Sequence, residues 1–526
     1  MDEERLGRVM TVAGSQMTVS LEGDHVSGDA RIGAMVKVRS AGREVVGTIG
    51  AVQVETAPAP RRVIVVDLLG EIVYAADGRP QFGRGVSHHP IAGSTVVVAS
   101  EADLTAVYAP PTVANIRIGA LYHDPERPAF LLMDALLAKN FAVLGMTGSG
   151  KSCGVTCILS AILADHPSAH ILLLDPHNEY ARAFGDLAEI VNVDNLQLPF
   201  WLLDFEEAVG VLVRGGTAQE QETQAIILKD AIIRARRRHW SDAATSITVD
   251  APLPFAAADL LRFIDEAMGK LDNPNTSAPY LRLRTRLESL RTDRRYAFLF
   301  SDSVAIRDVL SRIVGRLLRI PVNGKPLTII DLSGVPAEIT DVVVSLVSRL
   351  TFNFALWSDR ARLPPVLLVC EEAHRYVPAS EPIGFAATSR AITRIAREGR
   401  KYGVSLALIS QTPSELSAPV LSQCGTVFAM RLGHYLDQTS TGTTWPDAAR
   451  GMLEALPTMR TQEAIAFGEG VPLPMRIRFD DLPPDRRPRS DSAKFSKAWQ
   501  SDCGDAELLD EGIRCWREQR RKPLGR

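Results

Sequence analysis

An octapeptide within the first third of the chain has the spacing G-x-x-x-x-G-K-S. Residues 145–152 are Gly-Met-Thr-Gly-Ser-Gly-Lys-Ser, preceded by an apolar run and followed by an apolar stretch compatible with a helix. In such a loop the glycines let backbone N–H groups surround a polyphosphate, the lysine reaches the β- and γ-phosphates, and the last hydroxyl binds Mg²⁺. The segment predicts ATP hydrolysis with Mg²⁺. The predicted nucleotide ligands are Gly145, Thr147, Gly148, Ser149, Gly150, Lys151, Ser152 and Cys153.

Two adjacent carboxylates end a second apolar run, residues 366–369. We expect this strand to lie beside the strand of the loop. Glu371 would then bind the hydration shell of Mg²⁺, and Glu372 would orient or deprotonate the attacking water. The first acid of such strands is more often Asp, so the division of labour between the two stays open. Ser152 and Glu371 are the predicted metal residues.

A third apolar run, 171–174, leads into Asp-Pro-His-Asn-Glu-Tyr at 175–180. In a parallel sheet this turn would lie at the carboxyl edge, where ligands bind. Asp175 or Glu179 would there touch the metal-bound water. A helix N-cap role for Asp175 or Asn178 is an equal alternative.

Cations crowd residues 389–403, and a glutamine ends the strand that follows them. Such a charge run usually forms a solvated or salt-bridged face. Alternatively, one or two of these arginines stabilise charge on the transferring phosphoryl group, within or between subunits. Gln411 at the strand tip would sense the γ-phosphate. The predicted catalytic residues are Lys151, Glu371, Glu372, Arg397, Arg400 and Gln411.

Composition is that of a globular protein with several domains. The chain has 526 residues, 46% hydrophobic and 23% charged, with a net charge of −3, which excludes a globally basic nucleic-acid binder but not a basic channel. No run reaches the roughly 18 uninterrupted apolar residues of a membrane span. The charged N-terminus lacks a secretory signal, which favours the cytoplasm. The six scattered cysteines indicate buried thiols.

Short alternating runs separated by Gly, Asp and Pro turns predict a small N-terminal β-barrel, and apolar runs alternating with helical patterns predict an α/β RecA-like P-loop ATPase core. A change to helical patterns within the core predicts an insertion, and the Pro- and Arg-rich end predicts an extended C-terminal arm. The predicted domains are 1–110 (barrel), 111–204 (first part of the core), 205–322 (helical insertion), 323–480 (second part of the core) and 481–526 (arm).

The motifs, in this order, resemble those of the HerA family, hexameric DNA translocases related to FtsK-type motors. The matching segments are 143–152, 175–180, 371–374, 397–403 and 410–416. The resemblance implies a ring of six subunits with ATP at the interfaces, where Arg397 or Arg400 helps to complete the site. It also implies that Lys139, where relatives carry Arg, reaches a neighbouring site, and that the C-terminal arm braces the next subunit.

The predicted function is that of an ATP-driven, homohexameric double-stranded DNA translocase or helicase. By the same resemblance, it works with an effector such as a nuclease or a sirtuin-type NAD hydrolase, in DNA end processing or phage defence. The alternative is an ATP-regulated ring scaffold that switches an effector with little DNA pumping. A secretion ATPase of the VirB type shares the core, but the barrel and the lack of an anchor disfavour it. Residues 380–390 are a candidate pore loop, with an ordinary surface loop as the equal alternative.

Overall fold

The structure is a computed structural model in which the chain is described over most of its length. The described residues are 5–22, 30–40, 42–55, 61–74, 78–192, 195–240, 247–270, 277–300, 308–333, 335–380, 386–433, 450–488, 495–500 and 506–517. Residues 381–385 of the candidate pore loop lie outside them.

Alternating apolar strands form the N-terminal sheet because one face of each strand must be covered. The strands are β1 (Arg5–Ala13), β2 (Gln16–Leu21), β3 (Met35–Ser40), β4 (Arg43–Glu55), β5 (Arg61–Tyr74), β6 (Pro80–Arg84) and β7 (Thr95–Val98). Their order is β2-β1-β7-β3-β4-β5-β6, and pairing of β2 with β5 closes six of them into a barrel. Val19, Val36, Ile49 and Ile64 are among the fully buried side chains of its interior.

A second, larger sheet forms the core. Its strands are β8 (Asn115–Leu121), β9 (Pro128–Leu132), β10 (Asn140–Leu144), β11 (Ile171–Asp175), β12 (Ala188–Val191), β13 (Leu327–Asp331), β14 (Val366–Cys370), β15 (Val404–Ser410), β16 (Cys424–Ala429), β17 (Glu463–Gly468) and β18 (Met475–Phe479). The order is β12-β13-β11-β14-β15-β10-β16-β17-β18-β8-β9. From β12 to β16 in this order all neighbours are parallel. Their carboxyl ends therefore meet at one edge.

Helices cover the sheet and form an insertion between β12 and β13. They are α1 (Glu101–Val107), α2 (Met133–Ala138), α3 (Lys151–Asp165), α4 (Ala181–Phe184), α5 (Phe205–Leu212), α6 (Ala218–His239), α7 (Ala257–Met268), α8 (Ala278–Thr292), α9 (Ala297–Phe300), α10 (Leu310–Leu318), α11 (Ala337–Trp357), α12 (Ala387–Glu398), α13 (Ala418–Leu421), α14 (Arg450–Leu453), α15 (Phe495–Ala498) and α16 (Ala506–Arg517). Capping boxes at Asp204 and Thr217 begin α5 and α6, because these side chains satisfy N–H groups that the first helical turn leaves free.

Within the described residues, one helix has the length and apolarity of a membrane span. This is α11, of which 72% of the most apolar window is buried inside the protein. It packs against α12 and α5, so its apolar side chains serve the core. The predicted fold class, an α/β P-loop ATPase core with an N-terminal β-barrel and a helical insertion, is confirmed.

Candidate nucleotide-binding and hydrolysis site

The predicted phosphate-binding loop joins β10 to α3, as the flanking apolar runs indicated. Gly148 and Gly150 have φ angles of +77° and +98°. A Cβ atom on Gly150 would also lie 2.9 Å from the backbone nitrogen of Gln462. A side chain at Gly150 would therefore meet both an unfavourable backbone conformation and a clash. On Gly145 a Cβ atom would lie 2.7 Å from Ser149 Oγ, so this glycine is also required for the close fold of the loop.

The loop holds a buried cation and a buried hydroxyl that lack strong partners of their own. Lys151 is 6% exposed, and its Nζ donates only a long 3.3 Å hydrogen bond, to the carbonyl of Met146. Burial lowers the pKa of Lys151, whereas Glu371 and Glu372 raise it. Ser149 Oγ is buried and has no hydrogen-bond partner among the described residues. Buried polar groups normally have partners, so both groups fit a loop that binds a polyanion.

Ser152 and the turn after β11 face each other. Ser152 Oγ donates a 2.5 Å hydrogen bond to Glu179 Oε2. The Asp175 carboxylate instead accepts the backbone N–H groups of His177, Glu179 and Tyr180 at 3.0 to 3.3 Å. Asp175 thus braces the backbone of the turn but does not cap α4, whose N-cap residue is Tyr180, and Glu179 reaches the hydroxyl predicted to bind the metal.

Glu371 is a buried carboxyl held by a tyrosine. Its side chain lies at the end of β14, 3% exposed, and the Tyr180 hydroxyl donates to Glu371 Oε2 at 2.5 Å. Burial raises the pKa of Glu371 to about 8, although the hydrogen bond from Tyr180 and the nearby Lys151 act in the opposite direction. A carboxyl in this environment gains from a cation nearby, which would favour its charged form.

One carboxylate oxygen of Glu372 accepts a hydrogen bond, and the other accepts none from the described residues. Its backbone is left-handed, with φ of +53°, a conformation uncommon outside glycine and enriched at functional sites. Oε1 accepts a hydrogen bond from Gln411 Nε2. Oε2 is buried and has no hydrogen bond from any described residue, although His374 Nδ1 lies 3.3 Å from it. A carboxylate oxygen with no hydrogen bond suits a group that accepts a proton from water.

The expectation that the acidic strand lies beside the loop strand is wrong. β15 lies between β14 and β10, because it pairs in parallel with both. This order places Gln411, at the tip of β15, between the loop and Glu372. Thr147 Oγ1 donates to Gln411 Oε1, and Gln411 Nε2 donates to Glu372, so the predicted sensor contacts both sides of the site.

The predicted arginines are not part of the site within this chain. Arg397 and Arg400 immediately precede β15 at the opposite edge of the sheet from Gln411, a distance of roughly 20 Å for a strand of this length. Both are exposed, and neither guanidinium has a hydrogen bond or ion pair with any described residue. Arg390, by contrast, pairs with Glu206 at 2.7 Å. Lys139 forms an ion pair with Glu469.

Sequence reasoning missed the residues that support the outer side of the loop. Arg431 Nη2 and Thr461 Oγ1 each donate to the carbonyl of Gly148 at 3.3 Å, and the N–H of Gln462 donates to the carbonyl of Ser149 at 2.9 Å. Arg431 follows β16 closely, so the argument that found Gln411 at a strand tip would also have found it. The turn at 461–462 carries no comparable signal.

These features together define a P-loop ATPase: a phosphate-binding loop, a buried lysine and paired carboxylates at the carboxyl edge of a parallel sheet. The sequence model described as "Helicase HerA, central domain" matches residues 116–351. The chain is therefore similar to the HerA family, which confirms the resemblance predicted from the motifs.

Sequence similarity to helicases of other organisms extends over most of the chain. The "DNA double-strand break repair helicase HerA" of Pyrococcus furiosus is 24% identical over 417 residues, 73% of this chain and 72% of that protein. The "Probable DNA double-strand break repair helicase HerA" of Methanocaldococcus jannaschii is 22% identical over 90% of this chain and 95% of its own length. Among solved structures, VirB4 of Thermoanaerobacter pseudethanolicus matches with a TM-score of 0.52 and 14% identity, covering 72% of this chain and 98% of that one. At this identity the last match shows the fold alone.

Proposed function

We propose that this chain is an ATP-driven, homohexameric double-stranded DNA translocase or helicase that works with an effector protein. The observation that carries the proposal is that the loop and two buried carboxylates lie together at one edge of the sheet, in a chain similar to the HerA family. Its relatives are named DNA double-strand break repair helicases. A motor that grips DNA through its phosphates needs no sequence-reading elements.

In the proposed reaction the loop binds the phosphates of ATP and the carboxylates act on water. Backbone N–H groups of residues 145–153 and Lys151 hold the β- and γ-phosphates. Glu372 accepts a proton from the attacking water at its free Oε2. Gln411 holds the other carboxylate oxygen, which keeps the base facing the phosphates.

The chemistry of the donors fits Mg²⁺, which prefers oxygen ligands and retains several waters. Ser152 and Glu371 would hold the ion or its water shell, with Glu179 beside Ser152. No group of three or more His, Cys, Asp or Glu side chains in the described part of the chain is placed to enclose a metal, in keeping with an ion held mainly by water and phosphate. When bound, Mg²⁺ neutralises charge on the phosphates.

We further propose that Arg397 and Arg400 act on the site of a neighbouring subunit. They are exposed cations without partners among the described residues and lie too far from their own loop to stabilise its nucleotide. An arginine supplied by a neighbour stabilises the charge of phosphoryl transfer. Lys139 lies at the same edge of the sheet as these arginines. To act on a neighbouring site it would first have to break its ion pair with Glu469.

The effector, in this proposal a nuclease or a sirtuin-type NAD hydrolase in the cytoplasm, supplies any cutting or NAD hydrolysis, in DNA end processing or phage defence. The second candidate function, a ring that switches an effector without pumping DNA, would use the same site. Its ATP hydrolysis would not respond to DNA, which separates it from the first.

A triplex, in which a third strand is bound to linear duplex DNA, tests translocation directly, because a motor moving along the duplex displaces the third strand. The wild-type protein should displace the strand only with ATP and Mg²⁺. Lys151→Ala should abolish displacement, whereas Lys325→Ala, a matched change at a surface lysine near Glu189, should not. Displacement by Lys151→Ala at the wild-type rate would refute the proposed use of the loop. ATP hydrolysis without displacement would favour the scaffold.

A further inference from the structure

We propose that the Thr147 hydroxyl is a positioning group for Glu372 and acts through Gln411, an inference that rests on the proposed ATP hydrolysis. Thr147 was predicted from the sequence to bind nucleotide. In the structure its hydroxyl donates to Gln411 Oε1, and Gln411 Nε2 donates to Glu372 Oε1. Two hydrogen bonds thus link the phosphate-binding loop to the group that accepts the proton of water.

The direction of these hydrogen bonds follows from the chemistry of the amide. A glutamine side chain has one accepting and one donating end. Because the Thr147 hydroxyl donates to the carbonyl end, the NH₂ end is turned toward the carboxylate of Glu372. Without the hydroxyl, Gln411 loses the contact that fixes its carbonyl end, and the amide is less firmly held against the carboxylate. The hydroxyl therefore selects the orientation in which the amide supports the base.

This arrangement leaves one oxygen of Glu372 for catalysis. Oε1 accepts the hydrogen bond from Gln411, whereas Oε2 has no hydrogen bond from the described residues and lies 3.3 Å from His374 Nδ1. Loss of the Thr147 hydroxyl should therefore misplace the base and lower kcat, because a general base must lie within hydrogen-bond reach of its proton. Nucleotide affinity should change little, since Lys151 and the backbone of the loop remain in place.

The test compares Thr147→Val, which keeps the shape but removes the hydroxyl, with Thr147→Ser, which keeps the hydroxyl. Thr147 is exposed, so neither change disturbs the core. Thr147→Val should lower kcat about three- to tenfold, the worth of a neutral hydrogen bond, with KM for ATP within about twofold. Thr147→Ser should restore most of the loss. Thr292→Val, a matched change at an exposed helical threonine that donates to its own helix, should have no effect.

The double variant decides whether Thr147 acts through Gln411. Gln411→Ala should lower kcat about tenfold or more, because its hydrogen bond to Glu372 is charge-assisted. Adding Thr147→Val to Gln411→Ala should cause no further loss, since both changes break one chain of contacts. The inference is overturned if the two losses multiply, or if Thr147→Val raises KM and leaves kcat unchanged, as direct contact with nucleotide would require. Failure of the proposed ATP hydrolysis would look different: Lys151→Ala would then turn over like the wild type.

Discussion

Replacement of Glu372 by Gln should separate nucleotide binding from hydrolysis. The amide retains an oxygen that can accept the hydrogen bond from Gln411, so the shape of the site is preserved. It cannot accept a proton from water at the position of the free Oε2. A positioned general base contributes about 10²- to 10⁴-fold, so kcat should fall at least about a hundredfold, equivalent to about 3 kcal/mol of transition-state stabilisation. The affinity for ATP should stay within about twofold.

The assay is steady-state ATP hydrolysis combined with equilibrium binding of a fluorescent ATP analogue. Glu371→Gln is the matched control, since it makes the same change one residue earlier. Burial raises the pKa of Glu371 to about 8, so its charged form is disfavoured and gains from a bound cation. We expect Glu371→Gln to raise the Mg²⁺ concentration needed for half-maximal hydrolysis. The rate of hydrolysis at saturating Mg²⁺ should change less. Normal turnover by Glu372→Gln together with stalled hydrolysis by Glu371→Gln would reverse the assignment of the two acids.

Three further changes test the supports of the site. Tyr180→Phe removes the hydrogen bond that lowers the pKa of Glu371, so a Mg²⁺ titration of ATP hydrolysis should show a higher half-maximal concentration, and unchanged Mg²⁺ dependence would contradict the contact. Gly150→Ala should abolish binding of the fluorescent analogue and lower the free energy of unfolding by about 1–3 kcal/mol; retained binding would show that the left-handed conformation is dispensable. Burial raises the pKa of Asp175 from 3.8 to about 6. Its charged form is therefore disfavoured in the folded state, and stability present below pH 3.8 is lost as pH rises through 6. Denaturant unfolding should show the free energy of unfolding of the wild type falling between about pH 3 and 7 relative to Asp175→Asn, by up to about 3 kcal/mol; parallel pH profiles would contradict the shift.

The loop and the carboxylates were predictable because their spacing is itself the chemical requirement. A lysine and a hydroxyl after the last glycine, and two acids after an apolar run, are visible without any tertiary information. Strand order is not, because it depends on contacts between segments far apart in the chain. β15 lies between β14 and β10, and this order, rather than any local pattern, gives Gln411 its contacts on both sides.

The role of Asp175 in bracing the turn and the contact of Tyr180 with Glu371 also needed the structure. A carboxylate after a strand fits a helix cap, a metal site or a turn, and its three backbone partners place Asp175 in the turn. The arginines show a further limit. Residues 389–403 were recognisable as a cationic segment. Because β14 and β15 are parallel, Arg397 and Arg400, which precede β15, lie at the edge of the sheet opposite the phosphate-binding loop.

Steady-state ATP hydrolysis with and without linear duplex DNA, across a series of salt concentrations, tests the proposed motor most directly. A translocase that holds DNA through its phosphates should be strongly stimulated at low salt, and the stimulation should fade as salt rises. Lys151→Ala should show no hydrolysis under any of these conditions. Hydrolysis by the wild type that is unaffected by DNA at every salt concentration would contradict the motor and favour the ATP-regulated scaffold.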